Sequence, residues 1–107
     1  MNLSDFSTRV KALSFPVDFD HVKVGTKVPF GSWSYSVTPV SADDDCLIKG
    51  FSCQIRLFIK KMDKATFSEV EAMFSELGIV WTRDEPIYIE DSKVLEVDYN
   101  FGFIGEE

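Results

Sequence analysis

Histidine is almost absent from this sequence: His21 stands alone among 107 residues. It is the side chain whose ordinary pKa lies nearest neutrality, so its scarcity removes the usual proton carrier of enzyme sites. No nucleophile elbow or cysteine-protease signature accompanies it, and the six glycines are scattered rather than gathered into a phosphate-cradling loop. Cysteine is also scarce, with only Cys46 and Cys53. Two are too few for a disulfide framework, and seven residues of extended strand would hold them about 23 Å apart. Together with His21 they offer three soft metal ligands at most, at spacings that match no zinc finger. No apolar run approaches the ~18 residues that a membrane-spanning helix needs. The opening MNLSDFSTRVKAL carries an early acid and no apolar core, which is unlike a signal peptide. The expectation is a chain with no enzymatic activity, no cofactor, no metal and no membrane span.

Basic residues become rare towards the end. Lys and Arg number 11 against 18 Asp and Glu, a formal net charge of -7. Up to Arg83 the two signs cancel. Beyond it stand Asp84, Glu85, Glu90, Asp91, Glu96, Asp98, Glu106 and Glu107, with Lys93 alone against them. Nucleic-acid affinity rests on neutralising phosphates with Lys and Arg, so this surface is of the wrong sign for gripping DNA or RNA. The same sign disfavours an anionic membrane and favours solubility. Phe, by contrast, is abundant at 10 residues, and without basic surroundings these rings read as core rather than as a base-stacking platform.

The patterning predicts a single α+β domain over residues 1–107. Leu3, Phe6, Val10 and Leu13 recur at helical spacing, with Ser4 or Asp5 as N-cap, and the helix must stop before Pro16. Val17 to Val24 alternates but switches parity midway, as a bulge or a change of buried face would require. Gly25-Thr26 marks a turn. Trp33, Tyr35 and Val37 oppose Ser34, Ser36 and Thr38. Phe51, Cys53, Ile55, Leu57 and Ile59 oppose Ser52, Gln54, Arg56 and Lys60, with Phe58 out of step. Leu95, Val97, Tyr99, Phe101 and Phe103 oppose Glu96, Asp98 and Asn100. Period two with one wet face marks antiparallel strands lying on a core. A second helix carries Phe67, Val70, Phe74 and Leu77, with Asp63 or a Thr66/Glu69 capping box at its start and Gly78 as its left-handed stop. Two short strands, Ile79 to Trp81 and Ile87 to Ile89, flank Arg83-Asp84-Glu85-Pro86. The expected architecture is a mainly antiparallel sheet covered on one face by two helices.

Over residues 15–103 the order of motifs resembles the small tail-terminator or tail-completion proteins of long-tailed phages and prophages of Gram-positive bacteria. The resemblance runs through Phe15-Pro16-Val17, Phe19, Val28-Pro29-Phe30 and the strand Gln54-Ile55-Arg56-Leu57-Phe58-Ile59. It continues with Asp63 opening an acidic helix and Leu77-Gly78-Ile79, and ends on Tyr88-Ile89-Glu90, Lys93, Val97, Tyr99 and Phe101. The chain departs from the family pattern at Phe15, where Leu is usual, at Arg56, where Glu is usual, and at Asp91-Ser92. The resemblance implies a virion subunit that forms a six-membered ring, caps the tail tube and becomes the joint to the head connector. DNA would pass through that ring without specific binding, and no catalytic residue or cofactor comes with the family.

Two other readings fit the same composition: a head-tail connector or stopper, and a small intracellular module that binds a protein partner. For association, the residues singled out are Trp33 and Tyr35, aromatics on a strand face, and the acidic loop Asp43, Asp44 and Asp45. Trp33 and Tyr35 are equally well explained by burial. Glu96 and Asp98, on the wet side of the last strand, are the acids placed to face a channel.

Overall fold

In the computed structural model, residues 1–21, 25–40 and 48–106 are described. The order of elements is α1 (Leu3–Lys11), β1 (Val17–Phe19), β2 (Phe30–Pro39), β3 (Lys49–Ile59), α2 (Lys64–Leu77), β4 (Trp81–Arg83), β5 (Ile87–Ile89) and β6 (Val94–Gly105). The class is mixed α+β, with a six-stranded sheet and two helices among the described residues. The path across the sheet is β1-β2-β3-β6-β4, and β5 also pairs with β6. All pairings are antiparallel except that of β1 with β2.

Local chemistry sets the helix ends. The Asn2 side chain accepts the Asp5 N–H at 2.8 Å and so caps α1, two to three residues earlier than Ser4 or Asp5 would. Asp63 caps α2, accepting from the Ala65 N–H at 3.0 Å and from Thr66 Oγ1 at 2.9 Å. Those bonds hold the Asp63 carboxyl below its ordinary pKa. Gly78 stops α2 at φ +70°, a left-handed conformation that costs a glycine nothing. Ile79 then donates back to the Phe74 carbonyl at 2.8 Å. Ile79 is thereby buried as the hydrophobic anchor of the helix stop. The expected strand at 79–81 accordingly starts two residues later, at Trp81.

The core follows the odd-numbered side chains of the long strands. Phe51, Cys53, Ile55, Leu57 and Ile59 on β3, and Val97, Tyr99 and Phe101 on β6, are buried together with Phe6 and Val10 of α1 and Phe67, Val70, Met73 and Phe74 of α2. The Phe6 ring lies 5.1 Å from Trp33 and 5.3 Å from Phe101. The Phe74 ring lies 5.5 Å from Tyr99 and 4.8 Å from Phe101. Edge-on and tilted contacts at these separations suit the ring quadrupoles. Phe58, the residue out of step, faces the other way and stacks on Phe30 with centroids 5.0 Å apart.

β1 is shorter than the alternation of residues 17–24 predicts. It ends at Phe19, because Asp20 takes φ +71° and breaks the extended run. Residues 22–24 lie outside the described residues. β1 runs parallel to β2 over Val17↔Gly31 to Phe19↔Trp33. The fit is close there: a Cβ at Gly31 would stand 2.9 Å from the Arg56 carbonyl oxygen, so only glycine lets β2 approach β3 at that point.

Candidate functional site

Cross-strand register gathers the even-numbered side chains of the sheet into a polar face. Ser32 pairs with Arg56 and Arg56 with Asp98; Ser34 pairs with Gln54 and Gln54 with Asn100; Phe58 pairs with Glu96. Asp84, just past β4, joins the first of these rows, since its N–H donates to the Asp98 carbonyl at 3.0 Å. The side chains are then tied across three strands. Arg56 Nε donates to Gln54 Oε1 at 3.1 Å, Gln54 Nε2 to Asn100 Oδ1 at 3.1 Å, and Asn100 Nδ2 to Asp84 Oδ2 at 3.0 Å. This chain uses one donor and one acceptor of each amide and leaves the acids Glu96 and Asp98 beside it.

Asp98 is the unusual member. Its Oδ1 is buried with no hydrogen-bond partner among the described residues. Burial raises its pKa to about 6, helped by the neighbouring Glu96 carboxyl; Arg56 opposes the rise and Asp84 adds to it. Asp98 and Glu96 thus sit where strand alternation places them, on the wet side of β6, and both are half-buried rather than fully solvated.

Trp33 requires a correction as an interface residue. It is only 5% exposed, wedged between Phe6 and Phe19, whose centroids lie 5.1 and 4.8 Å away. Its place in the strand alternation reports burial. Tyr35 is half-buried and stacks on Trp33 at 6.0 Å. Both line a shallow cavity of about 390 Å³ with Leu3, Ser4, Ser7 and Phe19, in which Phe19 is the exposed ring at 49%. Asp43, Asp44 and Asp45 fall outside the described residues.

A second cluster, not anticipated from sequence, joins α2 to β4 and β6. The Tyr99 hydroxyl donates to Glu71 Oε2 at 2.7 Å, and Arg83 Nη1 reaches the same oxygen at 2.9 Å. The Arg83 guanidinium also lies 4.5 Å above the Phe67 ring centroid. Burial first, then the bond to Glu71, pushes the Tyr99 hydroxyl well above the ordinary tyrosine range, so it stays a donor. The only clue in the sequence is that Arg83 is the sole base beside a run of acids. Its target depends on β4 folding back over α2. Replacing Glu71 with Ala leaves the Tyr99 hydroxyl without its acceptor and should cost about 1–3 kcal/mol. Urea unfolding of the variant checks this, and a change below experimental error would show the cluster to be ornamental.

Among the described residues two further reactive groups are Cys53 and His21. Cys53 is buried and its thiol is pushed up to about 11 by that burial. His21 lies exposed beside Asp20, at 3.6 Å. Among the described residues no three His, Cys, Asp or Glu side chains converge as metal ligands, and no helix is long and apolar enough to cross a membrane. A comparison with protein-family models gives no match, and neither does a comparison with curated proteins.

Proposed function

We propose that this chain is a structural virion protein that caps a phage tail tube as a homo-oligomeric ring, a hexamer in the resembled family, and joins the tail to the head connector. The reading places it in the neck of the virion, in contact with the major tail-tube protein and the connector, with no catalytic role. The observation that carries it is the polar face of the sheet, where Asp98 stands opposite Arg56 with the acids Glu96 and Asp84 beside it. Such a face can border passing DNA and repel its phosphates. In this reading both helices lie on the opposite side of the sheet. The support for that arrangement is Phe101, whose ring meets Phe6 at 5.3 Å and Phe74 at 4.8 Å.

Assembly is the first test. Native mass spectrometry of the protein, alone and with tail-tube protein, should show a closed ring; a strict monomer under both conditions would overturn the proposal. Each subunit contact should bury about 1,000 Å² or more in total. The second test is charge. Exposed charges are screened beyond about 8–10 Å at physiological salt, so acids act on DNA only in a narrow bore. Reversing Glu96 and Asp98 to Lys should leave the subunit folded and the ring mostly assembled, yet slow DNA ejection. A ring with both residues on its outer rim, or unchanged ejection, removes the channel role.

A further inference from the structure

The outer edge of β6 carries partners along most of its length and then loses them. β5 pairs with it over 94–96 and β4 over 99–101. Between and beyond those strands the Asp84 N–H donates to the Asp98 carbonyl on the same edge. The backbone groups of successive residues alternate between the two edges of a strand. β6 keeps an unbroken register with β3 from Leu95 to Gly105. The N–H and C=O of Gly102 and Ile104 therefore point out of the same edge as the Asp98 carbonyl. Among the described residues nothing bonds to them there. Native sheets guard an open edge with charge, proline or a bulge. Residues 100–105 read Asn-Phe-Gly-Phe-Ile-Gly, with no charge and no proline, and the register holds no bulge.

The bare stretch is short and has set ends. On one side β4 begins at Trp81, preceded by Val80 at 87% exposure. On the other the Leu3 N–H donates to the Glu106 carbonyl at 2.8 Å and brings the N-terminal residues to the end of the strand. A cavity of about 660 Å³ adjoins residues 102–104 and is lined by Met1, Phe51, Leu77 and Ile79. A strand added to this edge would place the side chain opposite Phe103 on the odd-numbered face, beside the rings of Phe51 and Phe103, whose centroids lie 5.0 Å apart. A second cavity, of about 440 Å³, shares Met1 and Ile104 with the first and continues past them to Asp5 and Glu106. No Lys or Arg lines either cavity.

We propose that residues 102–104 form a docking edge for an extended segment of a partner protein, one with an apolar side chain over Phe51 and Phe103 and a Lys or Arg at the end that passes Asp5 and Glu106. Donors and acceptors spaced two residues apart on a strand edge recognise extended backbone, and the pockets beside them select side chains. Here the first cavity selects an apolar residue and the two acids select a base. Charge also decides between occupants. This chain has a formal net charge of -7, so a second copy suits an acid-lined slot less well than a basic segment of another protein. Length points the same way. Strands β2, β3 and β6 of another copy, at 10, 11 and 12 residues, are too long for the gap between Trp81 and Leu3, whereas a terminus or loop fits it. The inference does not rest on ring assembly, because the edge belongs to a single subunit.

The test is NMR of the labelled intact protein. Alone and dilute, the Gly102 and Ile104 amides should exchange with solvent near their intrinsic rates, while those of Phe101 and Phe103, turned towards β3, stay protected. The probe is the peptide acetyl-Lys-Thr-Val-Thr-Lys-amide, whose bases at both ends suit either strand direction. It should shift and protect the Gly102 and Ile104 amides. Asp5→Asn combined with Glu106→Gln should weaken its binding about fivefold, the worth of two exposed ion pairs. Ile104→Pro removes an edge donor that faces away from β3, so the protein should fold and the peptide should not bind. N-methylation of the three central residues of the peptide makes the same test without altering the protein, and should abolish binding. Gly102 and Ile104 amides as protected as their neighbours in the dilute protein, no shift at them with millimolar peptide, or equal binding of the N-methylated peptide would overturn the proposal. Protection that grows with protein concentration in the absence of peptide would overturn it as well, and assign the edge to a second copy.

Discussion

Phe74→Ala should destabilise the fold by about 3–5 kcal/mol, a large part of the roughly 5–15 kcal/mol that separates a typical folded domain from its unfolded chain. Phe74 is 0% exposed and its ring touches Tyr99, Phe101 and Trp81 at 5.5, 4.8 and 6.2 Å. Truncation removes contacts from α2 to both β4 and β6, and those elements cannot all close on the void. Urea denaturation should show a lower midpoint with an unchanged slope, since the surface exposed on unfolding is nearly the same. A loss under about 1 kcal/mol would mean that the site collapses and that α2 is not held as described.

How much of this is legible in the sequence depends on which distance each feature spans. The α2 stripe of Phe67, Val70 and Phe74 and the Gly78 stop are short-range patterns, and the structure reproduces them. Alternation identifies the odd-numbered face of β3 and β6 for the same reason. It does not report how far the cover over that face extends. On β2, Trp33, Tyr35 and Val37 share one parity, yet exposure rises from 5% at Trp33 to 38% at Val37. Residues 79–81 show a local misreading: an apolar run after Gly78 suggests a strand, but Ile79 closes the helix stop. At Asp20 a single left-handed residue ends β1, and no propensity marks that position strongly enough to foresee it.

The candidate site divides the same way. The parity of Glu96 and Asp98 along β6 is by itself enough to put them on the wet face. The arrival of Asp84 beside them is hidden, because it depends on β4 pairing with the distant β6 and on bonds from Asp84 to Asp98 and Asn100, the latter sixteen positions away. The Arg56–Gln54–Asn100–Asp84 chain is hidden likewise. Each residue is visibly polar, but only the register of β3 against β6 brings the two amides within bonding distance.

Trp33→Ala separates the two roles that the sequence leaves open for this residue. In the structure the indole is 5% exposed, packs edge-on against Phe6 and Phe19, and stacks on Tyr35. Its Cα partner on β3 is the fully buried Ile55. Removing so large a side chain opens a cavity under α1, because Phe6 would lose one of its three ring contacts, at 5.1 Å, and keep those to Phe101 and Phe103. The expected cost is about 3–5 kcal/mol, seen as a lower denaturation midpoint of the isolated subunit. Phe19→Ala makes the control. That ring is 49% exposed, so its truncation should cost well under half as much. Were Trp33 a contact between subunits, the order would reverse: the subunit would unfold as before and only its association would weaken. A Trp33→Ala protein with wild-type stability and lost assembly would therefore return this residue to the surface and displace it from the core.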